Sequence, residues 1–177
     1  MLRQSGSSSR TVSQTTLLGA AGEHFVMSQL LRRGLIAALA PQGVPNLDIV
    51  VSDVSGIRQL GLQVKSRLNK GSDGGWHMGA KHETIVSPNL FYCFVDFGND
   101  TLDAVQTFVI PSLQVAEVVK DSHATWLANP GKNGHVRKDS NLRRLSPDYS
   151  YAYAPSLPKY ALGWMDQYRE AWQLIGG

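Results

Sequence analysis

Between Ile57 and Arg67 the residues alternate in character: Leu60, Leu62 and Val64 share one parity, while Gly61, Gln63 and Lys65 share the other. An extended strand turns that period of two into two faces, so this stretch belongs in a sheet with one apolar side. The other side carries an amide and an ammonium that point the same way. Such a strand needs paired neighbours and a layer over its apolar face.

The surrounding sequence supplies both. Upstream, Leu17, Ala21 and Phe25 recur at four-residue steps, widened by Ala20, Met27 and Leu31, which predicts a helix N-capped by Thr15 or Thr16. Arg32 and Arg33 suit its C-terminal dipole, and Gly34 stops it. Glu23 falls at the stripe's edge, beside Gly19, Ala20 and Gly22. Short strands are predicted at Leu35–Ala40 and Leu47–Val51, with a Pro41–Pro45 turn between them. Asn69–Gly79 is glycine-rich and reads as irregular, whereas Asn89–Val95 and Thr107–Ile110 read as buried strands. Pro111 starts a helix to about Leu127. Asn129–Pro158 reads as loop, and Tyr160–Ile175, with Trp164, Tyr168 and Trp172, as a last amphipathic helix. The order predicts an α/β fold in which helices flank a mixed central sheet. Residues 1–14 form a loose tail, 15–128 the core, and 129–177 a basic loop and helical extension packed on that core.

With 177 residues and 42% hydrophobic composition the chain can bury one core. No stretch nears the roughly 20 apolar residues of a membrane span, and the N-terminus has no apolar signal region. One cysteine, Cys93, excludes an internal disulfide framework and a Cys-rich zinc site. These features predict a soluble cytoplasmic protein with no membrane partner. The net charge of +3 is mild, but it is unevenly spread. Lys132, Arg137, Lys138, Arg143 and Arg144 face only Asp139, and Lys65, Arg67 and Lys70 meet no acid before Asp73. Two such clusters point towards a polyanion.

Three polar features interrupt apolar elements: Glu23 on the helix, Asp48 within a strand, and Gln63 and Lys65 on the next strand. A hairpin would set Asp48 beside Gln63. A partly buried Asp needs a partner, either Lys65 or a metal ion. Magnesium accepts a small number of carboxylates alongside waters and phosphate oxygens, so Asp48, the Gln63 amide oxygen and Glu23 are candidate donors. Lys65 would orient a water or offset negative charge.

Gly22-Glu23, Asp48 and Gln63-Val64-Lys65, in that order and spacing, resemble the PD-(D/E)XK nuclease superfamily. The closest branch holds Holliday-junction-resolvase-like and restriction-endonuclease-like proteins, and the resemblance covers about residues 15–120. It implies a restriction-endonuclease-like αβββαβ core and hydrolysis of DNA phosphodiester bonds dependent on Mg²⁺ or Mn²⁺. DNA is the implied partner, and many members work as dimers. By position, Glu23 and Asp48 take the acidic metal-site roles, Gln63 the second ligand position and Lys65 that of the catalytic lysine. This chain has Leu47 where a Pro commonly precedes the Asp, and Gln63 where a carboxylate is usual. No helix is evident between Ser66 and Pro88. Two other readings stand beside an active nuclease: a weak or inactive nuclease fold that binds DNA or a protein, and an unrelated domain with a structural Asp48–Lys65 ion pair.

Further nucleic-acid contacts are drawn from residues with two readings each. Ser66 and Arg67 either touch phosphate or simply end a strand. Trp76 and His77 either stack on a base or, for the Trp, cover the core. Lys81, with His82, reaches the same cleft. The basic run Lys132, Arg137, Lys138, Arg143 and Arg144 neutralises phosphates or is a solvated face.

Overall fold

The computed structural model describes residues 12–69, 74–150 and 157–176. Lys70 and the side chain of Lys132 lie outside the described residues. Helix α1 spans Gln14–Arg32 and is capped by Ser13, whose Oγ accepts the Thr16 N–H at 3.2 Å. The cap thus lies just upstream of the two threonines expected to provide it. Beyond the helix, Gly34 takes the left-handed conformation (φ 78°) that closes a helix C-terminus.

The buried stripe of α1 is rotated from the expected one. Gly22, Val26 and Leu30 are buried, whereas Leu17 and Leu31 are more than half exposed. Gly22 sets this rotation. A Cβ at that position would come within 1.8 Å of Ser66 Oγ, so glycine lets the helix backbone lie directly on the sheet. Glu23 follows it at the edge of the contact, half-buried.

The main sheet has five strands: β1 (Ile36–Leu39), β2 (Ile49–Ser52), β3 (Gln59–Arg67), β5 (Leu90–Asp96) and β6 (Gln106–Pro111), in spatial order β1-β2-β3-β5-β6. β1, β2 and β3 pair antiparallel, β3 and β5 parallel, and β5 and β6 antiparallel. Period-two alternation sends Leu62, Val64, Cys93 and Val95 towards α1 and Trp172 on one side. On the other, Tyr92, Phe94, Phe108 and Ile110 meet α2 (Ser112–Ala128). Burial raises the Cys93 thiol pKa, as befits a core residue. Among the described residues no helix is long and apolar enough to cross a membrane.

Three elements depart from the sequence reading. A parallel β3–β5 pair needs a crossover, and here it carries β4 (Trp76–Gly79) and a 3-10 turn, Ala80–Glu83. β4 lies in a segment expected to be irregular; Trp76 and Met78 alternate inward and are buried. β7 (Leu142–Leu145) lies in the expected loop and pairs antiparallel with β4, Trp76 opposite Leu145. The last predicted helix is not one helix. Pro158–Tyr160 and Asp166–Tyr168 are 3-10 turns, and only α3 (Gln173–Gly176) is α-helical. Gly163 (φ 91°) and Glu170 (φ 49°) are both left-handed and break the run. The aromatic residues still pack, with Trp172 buried at the core.

Candidate active site

Asp48 stands one residue before β2, and its N–H donates to the Leu62 carbonyl at 2.8 Å, extending the ladder. Because Ile49 is opposite Leu62, Asp48 falls opposite Gln63, on the face away from α1. There the Gln63 Nε2 donates to Asp48 Oδ2, which also accepts the Val64 backbone N–H at 2.7 Å. Gln63 is buried at 6% exposure. Two residues on, Lys65 is half-buried on the same face. It makes no ion pair with Asp48 among the described residues, so the structural ion-pair reading fails and Asp48 is held by Gln63 and the backbone instead.

Glu23, at the edge of α1, lies within electrostatic range of this group. Its carboxyl pKa is raised, first by burial and next by the charge of Asp48, with His24 and Lys65 pulling the other way. The Lys65 ammonium pKa is lowered, chiefly by burial; Lys81 adds to this, while Asp48 and Glu23 oppose it. Two carboxylates, one amide and one lysine therefore share one electrostatic neighbourhood. No trio of His, Cys, Asp and Glu gathers anywhere among the described residues. The donors on offer are the Glu23 and Asp48 carboxylates and the Gln63 amide oxygen. These are hard oxygen donors, and among the described residues no hydrogen bond engages Asp48 Oδ1. That set fits a magnesium-class ion, which needs few protein ligands and keeps its waters. To offer oxygen, the Gln63 amide must turn over, because its N–H is the group that meets Asp48. Two residues before Asp48, Asn46 is left-handed (φ 63°) and its Oδ1 is buried without a partner, the kind of local strain found at working sites.

One pair on this face has little signal in the sequence. Tyr92, opposite Gln63 in the parallel register, has its hydroxyl 2.7 Å from the Nδ1 of buried His82. Burial raises the Tyr92 pKa, and burial together with Lys65 and Lys81 lowers that of His82 to about 4, so the imidazole is neutral. Tyr92 reads only as a core position in its strand. Its role appears once the turn carrying His82 folds against it.

Several expected nucleic-acid residues are occupied elsewhere. Ser66 Oγ is buried against Gly22 without a hydrogen-bond partner, which removes it from any DNA surface. Arg67 pairs with Asp96 at 2.6 Å, donates to the Gly74 carbonyl, and lies 4.0 Å over the Trp76 ring. Trp76 is 2% exposed and donates to the Val95 carbonyl, so it fills the core and stacks on no base. Arg143 is buried and paired with Glu83. Arg137 stacks on Trp126 and donates to its carbonyl at 2.9 Å. Exposed positions remain at His77, Lys81 and Lys138, with half-buried Arg144 opposite His77 in the β4–β7 ladder.

This architecture is the restriction-endonuclease-like fold. The bacterial homing endonuclease I-Ssp6803I matches with a TM-score of 0.52 at 17% identity, covering 92% of this chain and 93% of its own. Hjc, a Holliday junction resolvase from the archaeal hyperthermophile Archaeoglobus fulgidus, aligns with a TM-score of 0.42 at 14% identity, over 78% of this chain and 89% of its own. No protein-family model and no curated protein matches the sequence. At 17% identity the likeness to I-Ssp6803I defines a fold.

Proposed function

We propose that the chain is a divalent-metal-dependent DNA endonuclease that hydrolyses phosphodiester bonds. The observation carrying this reading is the convergence of Asp48, Gln63 and Lys65 on one sheet face, with Glu23 at its edge. The likeness of the whole fold to a homing endonuclease supports the class of reaction. Glu23, Asp48 and the Gln63 oxygen would hold Mg²⁺ or Mn²⁺. Once bound, the ion would supply Lewis-acid polarisation and charge neutralisation at the phosphate. The chain's own contribution centres on Lys65. Half-buried beside two carboxylates, its ammonium is preorganised to donate to a phosphoryl oxygen as charge develops there. Gln63 and the Val64 N–H fix Asp48 Oδ2, and Oδ1 is the oxygen that would coordinate the ion.

A second reading rests on the Gln63 N–H that closes on Asp48. That contact satisfies the pair without an ion and suits a weak or inactive nuclease fold that binds DNA. Plasmid, linear duplex and four-way junction DNA incubated with Mg²⁺, Mn²⁺ or EDTA separate the two. Cleavage that needs metal and is lost in Lys65→Ala supports the endonuclease. Binding without cleavage under every condition supports the second reading, and neither binding nor cleavage overturns both.

A further inference from the structure

The crossover from β3 to β5 brings a second lysine to this face. Its 3-10 turn, Ala80–Glu83, is tied down at three points. The Ala80 N–H donates to the Asn141 carbonyl at 2.9 Å, Glu83 pairs with Arg143 of β7, and His82 is buried against the Tyr92 hydroxyl at 2.7 Å. Tyr92 is the register partner of Gln63. The turn is therefore seated against β5, the strand paired with the one that carries Lys65, and Lys81, next to His82, is exposed. Glu83 is the acid nearest to Lys81 along the chain, and Arg143 occupies it. Neither Lys81 nor Lys65 forms an ion pair among the described residues.

We infer that Lys81 is a second cationic contact to the reacting phosphate, acting with Lys65 and presented by the turn that the His82–Tyr92 hydrogen bond holds. This rests on the endonuclease reading above. Two unpaired ammonium groups repel each other until an anion lies between them. The same proximity bears on His82, whose pKa both ammonium charges push down, and on Lys65, whose pKa Lys81 pushes down. A phosphoryl oxygen between them relieves the repulsion and places both cations against the charge spread over the phosphoryl oxygens in the transition state. The His82–Tyr92 hydrogen bond is the positioning element, since it holds the turn that presents Lys81.

Single-turnover cleavage and metal-free duplex binding, measured on the same proteins, test this. Lys81→Gln removes one charge from an exposed side chain and leaves the fold intact. The salt slope of binding should fall by about 1, as for one lost phosphate contact. The cleavage rate at saturating DNA should fall roughly 10–100-fold, below the range for losing a fully buried donor, and Lys81→Arg should restore most of it. Tyr92→Phe should slow wild-type cleavage and add little further loss to Lys81→Gln, because both act through the same contact. An unchanged rate and slope in Lys81→Gln, in a protein where Lys65→Ala abolishes cleavage, overturns this inference alone. Additive losses from Tyr92→Phe and Lys81→Gln overturn the positioning role. A wild-type protein that neither binds nor cleaves DNA overturns the endonuclease reading, and this contact with it.

Discussion

Asp48 Oδ2 accepts the Val64 backbone N–H at 2.7 Å and takes nothing from Lys65, two residues from Gln63 on the same face. The carboxylate is anchored by main chain and amide, so the lysine beside it is not committed to neutralising it.

Lys65→Met tests that separation. The ammonium pKa is lowered in the folded state, so burying it costs stability at every pH below its unfolded pKa near 10.5. Removing the charge at pH 7 should leave Tm unchanged or raise it. Cleavage should drop about 10²–10³-fold, the scale for one preorganised electrostatic donor. A structural ion pair would instead lower Tm, which differential scanning calorimetry reads directly.

Gln63→Glu replaces the amide donor by a carboxylate facing Asp48. Without metal the variant should lose about 1–3 kcal/mol, the cost of an unmade buried hydrogen bond with like charges opposed. Acidification should recover part of the loss, because one of the two carboxyls then takes a proton and its raised pKa favours the fold at low pH. Added Mg²⁺ should raise the Tm of the variant more than that of the wild type. Thermal melts at two pH values, with and without Mg²⁺, check all three signs.

Arg67→Ala should be severely destabilising and electrostatically silent towards DNA. The side chain is 11% exposed and its partner Asp96 12% exposed, and breaking a buried pair costs about 3–5 kcal/mol. Urea denaturation should show the loss. The salt slope of DNA binding should match that of the wild type, since this guanidinium faces Asp96 and Trp76.

Stability should fall in mild acid through His82. Its pKa is near 4 in the fold against 6.5 for the free side chain, so the unfolded chain binds more protons between those values. The contribution is complete above about pH 6.5 and is lost as pH falls towards 4. In His82→Phe the difference from wild type should shrink across that window, as urea midpoints at pH 7, 5.5 and 4.5 would show.

The central part of this design was legible from residue order. A period of two placed Gln63 and Lys65 together, and an Asp inside an apolar strand is unusual enough to mark its neighbour. The peripheral elements were not legible, for physical reasons. β7 hides because Arg143 points inward to Glu83, which breaks the apolar alternation that signals a strand. Trp164, Tyr168 and Trp172 recur every four residues as a helix would, yet left-handed Gly163 and Glu170 interrupt them. The buried stripe of α1 lies one position from the one hydrophobicity predicts, because it includes Gly22, which carries no hydrophobic signal. Arg67 and Trp76 looked like DNA contacts because a sequence does not show that an arginine has found a buried carboxylate.

The β4–β7 ribbon also bears on how the molecule is assembled in time. Trp76 meets Leu145, and Glu83 meets Arg143, across some 60 to 70 intervening positions, the kind of distant closure that slows folding. The strands bearing Asp48 and Gln63 are joined by a short connection and can pair early. The turn with His82 and Lys81 cannot settle until β7 arrives from far along the chain. By that contact order the turn with His82 and Lys81, and with it the proposed reaction centre, is expected to form later than the Asp48–Gln63 pairing.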